Sequence, residues 1–208
     1  MKIVFVIPAR GGSKRLPRKN IYNLLERPLI DWSIQACKGS KYYENNLYVS
    51  SEDEEILELS ETLGAKTIQR PDRLSEDGVW TQEVLKHAVE SSSDLGECEI
   101  VVRIQANSPQ IKSEKIDECI EKLIEYNLWE VFTVDERGVE DAAIHVLRRE
   151  CVNQEALSVY KGVVETDYID IHTKEDILKV SKLMKIHELN CGTGYIILKN
   201  ISYEKFLN

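Results

Sequence analysis

Residues Lys2 to Ile7 form an unbroken β-branched and aromatic run that stops at Pro8, the pattern of a strand buried on both faces. Asn46 to Ser50, Ala65 to Gln69 and Glu99 to Gln105 repeat it. Between these runs the apolar spacing changes to the helical period. Leu29 to Ala36 opens behind Pro28, and Glu52 to Leu63 has an acidic first turn, Ser51 as its expected cap and Gly64 as its stop. Thr81 to Glu90 and Ser113 to Tyr126 read as further helices, the latter with Ile116, Ile120, Leu123 and Ile124 on one face. Glu130 to Val134, Ala142 to Leu147 and Ser158 to Val164 continue as strands, Lys174 to Met184 as a helix and Gly194 to Leu198 as a last strand.

Strands alternating with helices of about ten residues predict an α/β fold: a mainly parallel sheet covered on both faces, with a late antiparallel element. In such sheets ligands bind beyond the carboxyl ends of the strands, so the loops after Ile7, Ser50 and Gln105 should face one another. At 208 residues, with no linker or repeat, the chain reads as one domain. No apolar run approaches the roughly 20 residues of a membrane span, and the first residues enter a strand without the zones of a secretory signal. A cytoplasmic protein is the expectation. The five cysteines, Cys37, Cys98, Cys119, Cys151 and Cys191, are scattered without a paired motif and read as reduced, buried thiols.

The charge balance locates the candidate chemistry. With 27 Lys and Arg against 36 Asp and Glu the formal charge is −9, which argues against wrapping nucleic acid. Yet Arg10, Lys14, Arg15, Arg18 and Lys19 crowd into ten positions directly after the first strand. Gly11 and Gly12, lacking a β-carbon, would let backbone N–H groups approach a bulky anion, and the cations would compensate a triphosphate. No Gly-Lys-Ser/Thr closes the loop, and the three-glycine dinucleotide fingerprint is missing, so kinase, GTPase and dehydrogenase readings lose their support. The run Glu52 to Glu55 reads as a solvated helix start; Trp32, Trp80 and Trp129 read as packing residues, and His87 and His145 as structural.

The words of this loop, Ile-Pro-Ala-Arg-Gly-Gly-Ser-Lys-Arg-Leu-Pro-Arg-Lys-Asn-Ile from Ile7 to Ile21, closely resemble the N-terminal signature of the cytidylyltransferases that activate sialic and related nonulosonic acids, and more loosely that of the enzymes activating Kdo. Asn46 to Asp53 resembles that family's second strand, Arg70-Pro-Asp-Arg-Leu-Ser-Glu-Asp77 its segment beside the cytosine pocket, Gln105-Ala-Asn-Ser-Pro109 its turn after the central strand, and Asp170-Ile-His-Thr-Lys-Glu-Asp176 its late aspartate motif.

The resemblance implies a three-layer α/β/α, Rossmann-like nucleotide-diphospho-sugar transferase fold over residues 1–208, with a small arm at about 135–165. It implies transfer of CMP from CTP to the anomeric hydroxyl of a sugar acid (sialic, legionaminic, pseudaminic or Kdo-like) with release of pyrophosphate, Mg²⁺ or Mn²⁺ as the ion, and a homodimer. By the same carry-over Arg10, Lys19 and Asp170 are the catalytic candidates. Ala9, Gly11, Gly12, Ser13, Lys14, Arg15, Asn20, Arg70, Thr81, Gln105 and Asn107 are the nucleotide-side contacts, and Asp170 and His172 the metal candidates. A related nucleotidylyltransferase with another acceptor, or a nucleotide-binding relative without turnover, are the alternatives. Three features depart from the family. His172 stands where a second carboxylate is usual, residues 135–157 do not reproduce the basic stretch of the sialic-acid enzymes, and Asn190 to Leu198 follows the aspartate motif instead of preceding it.

Overall fold

The apolar runs assemble side by side in the centre of one sheet. In the computed structural model, which describes residues 1–91, 93–153 and 158–192, the elements in chain order are β1 (Ile3–Pro8), the short hairpin β2 (Asn23–Leu24) and β3 (Arg27–Pro28), α1 (Leu29–Lys38), β4 (Leu47–Ser51), α2 (Glu54–Thr62), β5 (Lys66–Gln69), α3 (Thr81–Glu90), α4 (Ser93–Gly96), β6 (Ile100–Ile104), α5 (Ser113–Glu125), β7 (Glu130–Val134), β8 (Glu140–Arg148), β9 (Lys161–Glu165) and α6 (Lys174–Gly192). Seven strands lie in the order β5-β4-β1-β6-β8-β7-β9. β5, β4, β1 and β6 run parallel, whereas β8 enters antiparallel between β6 and β7. The late antiparallel element anticipated from the sequence is therefore β8, and β9 returns parallel to β7.

The sheet is covered on both faces. Alternate residues of β1 and β6, Phe5, Ile7, Val102 and Ile104, pack with Ile30, Ile34, Ile56, Ile116 and Ile120 from α1, α2 and α5, while Val4, Val6 and Val101 pack with Leu85, Ala88, Val89 and Leu95 from α3 and α4. A third cluster unites Leu16 of the basic loop with Leu24 and Leu29 of the hairpin region and Ile171, Ile177 and Val180 leading into and along α6. It pins two functional loops at once. Cys37, Cys98, Cys119 and Cys151 are buried free thiols. Burial pushes the Cys119 and Cys151 thiols up to about 12 and about 11, so they stay protonated at neutral pH.

The cap expected at Ser51 is supplied two residues later. Ser51 ends β4, paired with Gln69, and α2 starts at Glu54 behind Asp53, whose carboxylate accepts the Ile56 N–H at 3.1 Å. α6 continues past Met184 to Gly192, and the strand expected over Gly194 to Leu198 lies outside the described residues. Trp80 does not pack in the core: it is 73% exposed just before α3. Trp129 is 39% exposed beside Tyr160, whereas Trp32 is held in the third cluster under Arg27. No helix among the described residues is long and apolar enough to cross a membrane.

Candidate functional site

From β1 the chain crosses over to β4 and then β5 on one side, and returns from β5 through α3 and α4 to place β6 on the other side of β1, so the strand order reverses between β1 and β6. A crevice opens at that reversal. There a cavity of about 580 Å³ is lined by Arg10, Ser13, Lys14, Arg15, Lys19 and Asn20 from the loop after β1, by Arg70, Leu74 to Val79, Thr81 and Val84 from the segment after β5 and the start of α3, and by Arg103, Gln105, Asn107 and His172 at the mouth of β6. The loops after Ile7 and Gln105 thus face one another, and the loop after Ser50 braces them from below.

That brace is Glu52. One carboxylate oxygen accepts the Gly11 N–H at 2.8 Å, and the other accepts from Arg70 Nη2 at 3.0 Å and Ser75 Oγ at 2.5 Å. Arg70, 4% exposed, completes its set with Ser75 Oγ at 2.8 Å and the Ser50 carbonyl at 3.2 Å. Burial raises the Glu52 carboxyl, but the hydrogen bonds from Ser75 and Gly11 and the charge of Arg70 outweigh it and hold it below the usual range. Its neighbour Asp53 pairs with Arg18, whose other nitrogen also meets Glu55. Arg18 sits at φ 58°, in the left-handed region, and is a tether of the loop instead of a cavity cation. Of the run Glu52 to Glu55, Glu54 and Glu55 form the exposed first turn of α2, and Glu52 and Asp53 do not. The latter two carboxylates fasten the basic loop.

Ala9, Gly11 and Gly12, three of the expected nucleotide contacts, are not among the residues that line the cavity. Ala9, 1% exposed, belongs to the core, and its N–H extends the β1 pairing to the Ser50 carbonyl at 2.9 Å. The Gly11 N–H is spent on Glu52, and a β-carbon at Gly11 would lie 2.1 Å from the Asp53 carboxylate, so this glycine is required by the close approach of Asp53. Around Gly12 the space is open, and it too stays off the cavity wall. Asn20, 5% exposed, lines the cavity while its amide nitrogen props the Arg10 carbonyl at 2.9 Å.

The cations divide into paired and unpaired. Arg10 Nη1 reaches Asp77 at 2.9 Å and the Ser75 carbonyl at 3.3 Å, and Lys14 meets the other oxygen of Asp77, so this carboxylate spans the crevice. Lys19, in a single 3-10 turn over Lys19–Ile21, forms no salt bridge among the described residues. Burial pushes its ammonium below the usual lysine value, Arg15 and Arg10 push the same way, and Asp170 and Asp176 oppose.

At the mouth of β6, Asn107 is 5% exposed and donates to Asp170 and, at 2.7 Å, to the Ile171 carbonyl, while Ile171 N–H returns to the Asn107 carbonyl at 3.1 Å. His172 Nε2 lies 2.7 Å from the second oxygen of Asp170. Asp170 thus stands behind the wall formed by Asn107 and His172. Thr173 and Asp176 form a capping box for α6: Asp176 accepts the N–H groups of His172 and Thr173 at 2.9 and 2.8 Å, and the Thr173 hydroxyl accepts the Asp176 N–H at 3.2 Å. Asp176 is a cap, as its position in the sequence suggests. Among the described residues no group of three or more His, Cys, Asp or Glu converges as a metal cage. One carboxylate beside a phosphate-sized, cation-lined cavity suits a Mg²⁺ that arrives with its phosphates and keeps its waters, and does not suit an all-protein site.

The sequence model of the Cytidylyltransferase family matches residues 4–193. Over 127 residues the chain is 36% identical to pseudaminic acid cytidylyltransferase of Campylobacter jejuni serotype O:2, a match covering 60% of this chain and 54% of that protein. Over 132 residues it is 34% identical to N-acylneuraminate cytidylyltransferase A of Danio rerio, covering 64% of this chain and 30% of that one. The chain spans about half the length, or less, of these curated relatives. Among solved structures, CMP:2-keto-3-deoxy-manno-octonic acid synthetase complexed with CTP superposes with a TM-score of 0.74 at 17% identity, covering 90% of this chain and 100% of that one, a likeness of fold. With the family's sequence pattern running from the first strand into the last helix, the chain belongs to the cytidylyltransferase family.

Proposed function

We propose that the protein transfers CMP from CTP to the anomeric hydroxyl of a sugar acid. The observation that carries this reading is the gathering of Arg10, Lys14, Arg15 and Lys19 on one wall of a cavity at the sheet's reversal point, with Gln105 and Asn107 opposite. In the transfer the anomeric oxygen bonds to the α-phosphorus as the bond to the β-phosphate's bridging oxygen breaks. The hydroxyl proton is released, and pyrophosphate leaves. Negative charge then gathers on the nonbridging oxygens and on the departing group, where fixed cations contribute most.

Lys19 is the cation for the α-phosphate end: it is half-buried, forms no salt bridge among the described residues, and lies within the field of Asp170. Arg10 and Lys14 hold the outer phosphates by exchanging Asp77 for them. Arg70 acts by shaping, because its nitrogens are committed to Glu52, Ser75 and Ser50. Thr81 at the first turn of α3 and Asn20 border the nucleoside end. A divalent ion, when bound, adds positive charge on the phosphates, and Asp170 is the carboxylate to hold it, with His172 and Asn107 fixing that carboxylate's orientation.

The test is pyrophosphate release from CTP, ATP, GTP and UTP with each of several eight- and nine-carbon sugar acids, with Mg²⁺ and Mn²⁺ supplied separately. CTP with one acid is expected to be productive. Silence across the panel, with CTP still binding, would favour a changed acceptor or a protein that binds nucleotide without turnover.

A further inference from the structure

β6 runs through the middle of the sheet between β1 and β8, and its residues Ile100, Val101, Val102 and Ile104 are buried. In their midst stands Arg103, 8% exposed, on the same strand face as Gln105 and, like it, at the cavity wall. A guanidinium in such a place is costly unless it has a counter-anion. Arg103 has none within ion-pair distance among the described residues. Among the described residues its one acceptor is the Ala142 carbonyl, 2.9 Å from Nη1. Ala142 lies at φ 57°, a left-handed backbone that a non-glycine residue rarely adopts, close to the register shift between β7 and β8. The strand pairing is thus irregular where it meets this side chain.

Two of the three nearby carboxylates are otherwise employed. Asp141 takes the hydroxyls of Thr133 and Thr166 and the Ala143 N–H at 2.9 Å, and Asp170 is held by Asn107 and His172. Glu140, Asp141 and Asp170 act on Arg103 only through space, and burial pushes its guanidinium down against them. A guanidinium presents five N–H donors in a planar fork, and among the described residues only one is committed. The rest of the fork borders the cavity.

We infer that Arg103 reads the carboxylate of the acceptor, an inference that rests on the sugar-acid reading above. A planar fork pairs with a planar carboxylate through two parallel hydrogen bonds, whereas the phosphates already have four cations on the opposite wall. In a 2-keto sugar acid the carboxylate and the anomeric hydroxyl share a carbon. Clamping the first therefore positions the second for attack on the α-phosphorus. Arg103 is thereby a specificity residue: it admits acids and rejects the neutral sugar of the same shape.

The experiment is calorimetric. Wild-type protein and the Arg103→Met and Arg103→Lys variants are titrated first with CTP and then, loaded with a nonhydrolysable CTP analogue, with the productive sugar acid and its carboxamide. Expected are unchanged CTP binding in all three, acid binding weaker by roughly 10- to 100-fold in Arg103→Met, a smaller loss in Arg103→Lys, and carboxamide binding that is weak and indifferent to the substitution. Unchanged CTP binding also certifies the fold of the variants. Acid binding untouched by Arg103→Met overturns the inference, as does a loss confined to CTP, which would give Arg103 to the nucleotide. If wild-type protein binds no CTP, the transferase reading itself falls. Wild-type protein that binds CTP but favours the carboxamide over the acid sinks only the inference.

Discussion

Two arginines border the same cavity at nearly equal burial, 4% exposed for Arg70 and 8% for Arg103, and their surroundings are opposite. Arg70 sits in the wall built from β4 and β5, where each nitrogen has an acceptor and Glu52 supplies the compensating charge. Arg103 sits in the wall built from β6 and β8, with one carbonyl and no ion pair among the described residues. The first wall is complete without a ligand. The second holds a charge whose partner is still to come, which is what a binding surface requires and a core avoids.

The comparison is broken most directly by replacing each arginine with methionine and following thermal unfolding. Arg70→Met leaves Glu52 largely buried without its counter-ion, and about 3–5 kcal/mol of stability is expected to go. In a chain of this length that lowers the melting temperature by roughly 6–20 °C. Arg103→Met strands no ion-paired carboxylate and relieves a desolvated charge, so its melting temperature should move by no more than about 4 °C. Equal losses would mean that Arg103 is structural after all.

The second prediction concerns Lys19, which like Arg103 and Arg15 forms no salt bridge among the described residues. Lys19→Ala is expected to lower turnover by about 10²- to 10³-fold, the scale for deleting one donor that faces developing charge. Because burial depresses the Lys19 ammonium, CTP affinity should fall with rising pH earlier than the loss of an ordinary lysine would dictate. The sign for stability is the reverse. In that alkaline window the unfolded chain binds more protons than the folded one at this site, so this lysine's contribution to stability rises with pH while ligand binding weakens. Lys19→Arg should flatten the alkaline limb of CTP binding. A limb unchanged by Lys19→Arg would assign the titration elsewhere.

Much of this was legible in the sequence, and what was not has identifiable reasons. The strands and helices announce themselves because their period is imposed by burial: Thr81–Glu90 and Glu130–Val134 fall where the apolar spacing puts them. The basic loop was conspicuous as a local reversal of charge. Glu52 was not, since acidic residues opening a helix satisfy the dipole wherever they are, and nothing local says that Gly11, Arg70 and Ser75 converge on one of them. Asp53 displaced Ser51 as the cap because pairing with β5 keeps Ser51 extended. Arg103 did carry a signal. A single charge inside Ile-Val-Val-Arg-Ile, a strand otherwise apolar on both faces, is a local inconsistency of the kind that marks sites.

The smallest expected effect lies where the basic loop meets the segment after β5 across the crevice. Asp77 is 52% exposed on its side chain and gathers Arg10 and Lys14, which are 41% and 83% exposed, so these pairs are solvated and contribute little to the fold. Their consequence is competitive. The hydrogen bonds from Lys14 and Arg10 hold the Asp77 carboxyl low, so at neutral pH it is a standing anion in the place a triphosphate would take. Asp77→Asn should tighten CTP binding a few-fold at low salt and leave the melting temperature unchanged. That advantage should vanish toward 1 M salt, where the screening length shrinks to about 3 Å. If Asp77→Asn instead weakens CTP binding at every ionic strength, Asp77 is preorganising the two cations for the phosphates. The basic loop would then owe its readiness to a carboxylate across the crevice, as it already owes its shape to Glu52.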